Sequence, residues 1–157
     1  MVTFKAARDE LYRRMCKVAE AWEKLYPGIQ APRVEDGFPT SETPFYIAVD
    51  SIVDTAEMSG RATVGAGNLE FTVHVMCFAR HSSLETASST LLAYEDAVFK
   101  AVMADQRLAG SVDNSFPAIE AAGTSPDSSK YHMAAASVGV SCTVFSKCPQ
   151  EFREVVK

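Results

Sequence analysis

Phe4, Ala7, Leu11, Met15, Val18, Trp22 and Leu25 recur at steps of three and four residues, which lays them along one stripe of a helix. Thr3 stands where a side-chain oxygen can cap the first turn. Tyr26-Pro27-Gly28 stops the run, because proline has no N–H to donate and glycine relaxes the turn. Asp9 with Arg13, Glu10 with Arg14 and Glu20 with Lys24 are acid-first pairs four residues apart on the other face. Each such pair contributes about 0.2–0.5 kcal/mol. The helix therefore occupies residues 1–27, and Gly28 to Pro44, rich in Pro, Gly and Thr, reads as a connection.

At Phe45 the period changes to two: Phe45, Ile47, Val49 and Val53 point one way, and Tyr46, Asp50 and Asp54 the other. A second strand, within a 45–80 strand pair, runs from about Leu69 to Arg80. It turns Leu69, Phe71, Val73, Val75 and Cys77 inward and Glu70, Thr72 and His74 outward. Residues 57–68 between them are small and polar, with Gly60, Gly65 and Gly67, and are too long for a tight hairpin, so they are expected to project as a mobile loop. Ser82 with Glu85 three positions later has the spacing of a capping box and opens a helix over 82–105. Its main stripe is Leu84, Ala87, Leu91, Tyr94, Val98, Ala101 and Val102; a second, Leu92, Phe99 and Met103, is set apart by Ser88 and Glu95. Two apolar stripes call for two intramolecular neighbours or for a partner subunit.

A second strand pair is expected over 116–146. A short strand around Pro117 to Ala122 leads through Gly123-Thr124-Ser125-Pro126 to a long one from Tyr131 to Ser146, and a charged tail follows over 147–157. The pattern thus predicts an α+β fold in a single domain spanning 1–157. It is a mainly antiparallel four-stranded sheet packed by two long helices, in the order helix-strand-strand-helix-strand-strand.

Composition narrows the function classes. A chain of 157 residues, 47% hydrophobic and 22% charged, is ordinary for a globular domain and can bury roughly two thirds of its unfolded surface. The net charge of -5, with Arg13, Arg14 and Lys17 diluted by Asp9, Glu10 and Glu20, disfavours tight nucleic-acid binding. No apolar run reaches the roughly 18 residues of a membrane span, and Met1 to Glu10 has no signal-peptide core, so synthesis in the cytosol is expected. Cys16, Cys77, Cys142 and Cys148 form no Cys-x-x-Cys pair, and Cys77 and Cys142 fall on the apolar phase of strands, as small hydrophobes do.

The chemical motifs break off where chemistry needs them. Gly60 and Gly65 have the outer spacing of a phosphate-binding loop, but Ala66-Gly67 stands where Lys and Ser or Thr belong. Gly65-Ala66-Gly67 leads into a strand, the reverse of a dinucleotide-binding turn. Gly139-Val140-Ser141 lacks the closing glycine of a nucleophile elbow, since Thr143 occupies that place. His74, His81 and His132 are scattered; His74 and His132, on the polar phases of different strands, could meet across a sheet, but no ligand spacing accompanies them. Asp50, Asp54 and Glu57 read as solvated carboxylates. No catalytic residue, metal or cofactor is expected.

Several stretches resemble tail terminator proteins of long-tailed bacteriophages. One is the strand Glu70-Phe71-Thr72-Val73-His74-Val75 running through Phe78-Ala79 into a Ser-x-Leu-Glu helix start; another is the helix ending Ala101-Val102-Met103-Ala104-Asp105 before a short linker. The similarity covers most of the chain in order and spacing. It implies a structural virion protein, not an enzyme. Such a protein forms a ring, commonly a hexamer, at the head-proximal end of the tail tube, where it ends tube polymerisation and joins the tail to the head connector. The implied partners are further copies of itself, the tail tube protein, a head connector or stopper protein, and genome DNA that passes through without tight binding. No membrane is involved, and the protein would be made in the host bacterial cytoplasm. A closed ring needs unlike patches that meet between neighbours. Leu92, Phe99 and Met103 are candidates for subunit contact, and Gly60, Arg61, Val64, Gly65 and Asn68 for contact with the tube or a neighbour. The alternatives are another neck or head-completion connector, or a small α+β enzyme or ligand-binding protein with a pocket between helix and sheet.

Overall fold

The computed structural model describes residues 3–39, 42–59, 66–126 and 130–157. The expected N-terminal stripe forms helix α1 (Thr3–Glu20), which buries Ala7, Leu11 and Met15. Arg8 also lies on this stripe and is buried, a position that periodicity marks but that hydrophobicity alone overlooks. Its guanidinium donates to the carbonyls of Asp50 at 2.9 Å and Val49 at 3.0 Å and pairs with Asp36 and Asp9, tying the helix to the edge of the sheet. Of the three acid-first pairs, Glu10–Arg14 forms at 2.9 Å, while Asp9 turns to Lys5 and Arg8, and Glu20 to Lys17.

The helix does not run on to Leu25. Ala21 leaves helical geometry, and a short α2 (Trp22–Leu25) restarts the chain on a new phase. Trp22 is thereby buried, whereas Leu25 is turned out and exposed. The Trp22 ring stacks on Tyr26 at 4.4 Å and meets Tyr94 edge-on at 5.3 Å, and its Nε1 donates to the Ile29 carbonyl at 2.9 Å.

The sheet has six strands, not four, and is mixed. β1 (Arg33–Asp36) lies inside the expected connection and runs parallel to β2 (Phe45–Val49). Instead of continuing to Val53, the chain leaves the sheet after Val49 and returns as β3 (Thr55–Ser59). Both β2 and β3 pair antiparallel with one 16-residue strand, β4 (Ala66–His81), β2 along Val75–Ala79 and β3 along Asn68–Thr72. Half of the expected projecting loop is therefore hydrogen-bonded strand: residues 57–59 belong to β3 and 66–68 to β4, and 60–65 lie outside the described residues. After helix α3 (Leu84–Met103), β5 (Asn114–Pro126) and β6 (His132–Lys147) form a long antiparallel hairpin. β5 is longer than expected at both ends, and Gly123 to Pro126 continue the strand. A six-residue helix, α4 (Gln150–Val155), follows. The spatial order is β1-β2-β4-β6-β5, with β3 also on β4, and only β1 and β2 run parallel. The fold is a single α+β domain.

α1 and α3 lie on one face of the sheet, over Phe71, Val73, Val75 and Cys77 of β4 and Ala136, Val138, Val140 and Cys142 of β6. The Cys77 and Cys142 thiols are buried and free; burial raises both, Cys142 to about 12, so they act as apolar filling. α3 is capped one residue later than the capping box implied. Ser83, not Ser82, is the cap, and its Oγ accepts from the Thr86 N–H at 3.3 Å. With Thr86 at the third position, no glutamate reaches back. His81 Nδ1 takes over that role, accepting from the Ser83 N–H at 2.9 Å. Among the described residues no helix is long and apolar enough to cross a membrane.

Candidate functional site

Strand alternation that sends one set of β4 and β6 side chains under the helices sends the other set to the opposite face, which no described element covers. Tyr46 and Phe78 stack there at 5.0 Å. Beside them Met76, Phe78 and Met133 wall an open groove of about 430 Å³, whose floor is made by Ala121, Gly123, Ala135 and Ser137. Small residues on two neighbouring strands, Ala121 and Gly123 near the C-terminal end of one and Ala135 and Ser137 on the other, leave the depression, and the larger ones flank it.

Further along the same face lies a constellation that spacing could not reveal. The register of β5 on β6 slips between Ile119 and Ala121, leaving Glu120 in a bulge. From there the Glu120 carboxylate lies over Gly139 of β6, where a Cβ would overlap it, and reaches Nδ1 of His74 at 2.8 Å. Nε2 of the same ring meets Asp54 Oδ1 at 2.7 Å, just before β3. His74 is the position at which the edge of β4 changes partner from β2 to β3. A ring flanked on both nitrogens by carboxylates donates from both, which selects the imidazolium. Burial draws the His74 pKa down, but the Asp54 hydrogen bond and the Glu120 charge outweigh it, and the net shift is upward. The His74 hydrogen bond holds Asp54 below the usual carboxylate range.

This arrangement is a clamp across three strands and lacks the geometry of a metal centre. Its carboxylates bind opposite ring nitrogens, and among the described residues no three candidate ligands converge. Asp54 is thus engaged and not merely solvated, whereas Glu57 is exposed. His74 and His132 do not meet: His132 pairs with His81, and His74 lies opposite Gly139. Gly139 and Ser141 are strand residues, and the glycine provides room for Glu120.

The second stripe of α3 is only partly surface. Leu92 and Met103 are 62% and 65% exposed, while Phe99 between them is half-buried against the core. Nearby, Val18, Leu25, Tyr26, Ala97 and Ala101 line a smaller groove of about 240 Å³ between the helices. Of the expected loop contacts, Asn68 is an exposed residue of β4 paired with Ser59 and Phe145; Gly60, Arg61, Val64 and Gly65 lie outside the described residues.

Glu95, expected as a polar spacer between the stripes, is only 8% exposed and has no hydrogen-bond or ion-pair partner among the described residues. Burial raises its pKa. The folded state then holds the proton more tightly than the unfolded one, so the ionised side chain destabilises the fold at neutral pH and stability rises as pH falls toward the ordinary carboxylate range. Glu95→Gln is expected to raise stability at pH 7 by about 1 kcal/mol, a gap that closes near pH 4. Urea denaturation at both pH values measures this, and an equal gap at both would refute the ionic origin.

No family model matches the chain, and no curated protein matches it either.

Proposed function

We propose that this chain is a structural subunit of a long-tailed bacteriophage, forming a ring at the head-proximal end of the tail tube that ends tube polymerisation and joins the tail to the head connector. The observation that carries the reading is the presence of uncovered apolar surface in two unlike places. One is the α3 edge with Leu92 and Met103, and the other is the groove on the outer sheet face. Unlike patches on one subunit are what a head-to-tail ring contact joins, and apolar side chains left in water favour being covered. The similarity in the segments Glu70–Val75 and Ala101–Asp105 supports the choice of a tail terminator over another neck protein. Its mechanism is binding: tube subunits stop adding once the ring occupies the tube end.

Electron microscopy of the purified protein, alone and with tail tubes, tests this. Rings of uniform diameter, free or seated at tube ends, are expected; a strict monomer that never caps a tube would sink the reading. The double substitution Leu92→Glu, Met103→Glu is expected to abolish the ring while leaving the circular dichroism spectrum unchanged, because both side chains project into solvent.

A further inference from the structure

We infer that a pocket beside the first turns of α3 binds a neutral carbohydrate. The pocket, about 570 Å³, opens between α3, the start of β2, the end of β4 and the segment Gly28 to Gln30. A volume in that range suits a small polar ligand. Its distinctive feature is Thr90. That residue is 3% exposed and lines the pocket, and its hydroxyl has no hydrogen-bond partner among the described residues. A buried hydroxyl costs stability unless something bonds to it. With the rest of the side chain enclosed by protein, the pocket is where a partner reaches it.

The walls are set before any ligand arrives. Trp22 Nε1 donates to the Ile29 carbonyl at 2.9 Å, and the Tyr94 hydroxyl donates to the Gln30 carbonyl at 2.8 Å. Both aromatic side chains are buried, which fixes the segment facing α3 and lowers the cost of binding. On the sheet side, His81 Nδ1 accepts from the Ser83 N–H at 2.9 Å, so the ring proton sits on Nε2 and makes that atom a donor. Thr86 and Ser89 carry exposed hydroxyls at the rim, beside the Glu85 carboxylate.

These groups define the ligand. The His81 Nε2–H requires an acceptor and the Glu85 carboxylate a donor, while the three hydroxyls take either. A molecule with donors and acceptors on neighbouring atoms meets all of them, as the hydroxyls of a sugar do. Phe45 and Ile29, both half-buried, take the apolar C–H side of the sugar ring. Glu85 is the only formally charged side chain among the described residues that line the pocket, and it repels phosphorylated or acidic ligands. Neither Leu92 nor any residue of the outer-sheet groove lines it, so the inference is independent of the proposed ring.

Amide NMR of the full-length protein, titrated in turn with maltose, lactose, cellobiose and diacetylchitobiose to tens of millimolar, tests the site. Saturable shifts at Ser89 and Thr90 are expected from at least one of the four, with Ala135 on the other face of the sheet unmoved. Thr90→Val removes the hydroxyl and keeps the shape. It should weaken binding of that sugar at least threefold without lowering the urea midpoint, since the fold does not use the hydroxyl. Ser89→Leu, at an exposed position, should fill the rim and abolish binding. No saturable shift from any of the four sugars, or undiminished binding in either variant, would overturn the inference. So would a Thr90→Val midpoint well below that of the wild type, which would assign the hydroxyl to the fold.

Discussion

Trp22→Ala is expected to destabilise the fold by about 3–5 kcal/mol, against a total stability of roughly 5–15 kcal/mol for a domain of ordinary size. Trp22 is the only tryptophan and is almost wholly buried. Its ring joins three segments: α2 through itself, the following turn through Tyr26 and the Ile29 carbonyl, and α3 through the edge of Tyr94. The Tyr94 hydroxyl in turn donates to the Gln30 carbonyl at 2.8 Å, so removing the indole loosens both anchors of the segment that leads into β1. Trp22→Phe keeps most of the apolar volume but leaves the Ile29 carbonyl without its donor, and should cost about 1–3 kcal/mol. Urea denaturation followed by circular dichroism measures both. A loss below 1 kcal/mol for the alanine variant would show that the cluster does not anchor the helices.

Trp22 also illustrates what the amino-acid pattern could and could not reveal. Its place on the stripe made it a core residue from spacing alone, and so did the inward phases of β4 and β6. The reset at Ala21, which keeps Trp22 in the core but turns Leu25 out, left no mark in that spacing. β1 was hidden because Arg33-Val34-Glu35-Asp36 has a single strand former, Val34, among three charged residues, and its conformation comes from parallel pairing with β2. β3 was hidden because small and polar residues read as loop until a 16-residue partner strand offers them hydrogen bonds. The His74 clamp was least visible. Asp54 and Glu120 stand 20 and 46 positions from the histidine, and one of them arrives through a bulge. The unpatterned glycine at 139, isolated in an apolar strand, was the one local sign that a neighbouring group needed space.

Gly139→Ala is expected to break that clamp. The new methyl would occupy the position of the Glu120 carboxylate, so that flexible side chain must swing away from His74; the cost is then the lost hydrogen bond, about 0.5–1.5 kcal/mol. Because Glu120 has already left His74 in Gly139→Ala, adding Glu120→Ala should cost much less there than in the wild type, a non-additivity that two independent sites would not show. The pH dependence follows from the ring. A histidine whose folded pKa is raised contributes stability that is fully present below its ordinary value near 6.5 and is lost as pH rises through the folded value. Asp54, held low, contributes stability present above its ordinary value near 3.9 and lost as pH falls through the folded value. The clamp is therefore strongest between about pH 4 and 6.5, and the stability difference between wild type and His74→Gln should peak there and shrink toward pH 8. NMR titration of the His74 ring supplies the direct measurement: its midpoint should move down in Gly139→Ala as Glu120 is expelled. An unchanged midpoint would mean that Glu120 does not hold the imidazolium, and the sheet would then owe its cross-strand tie to Asp54 alone.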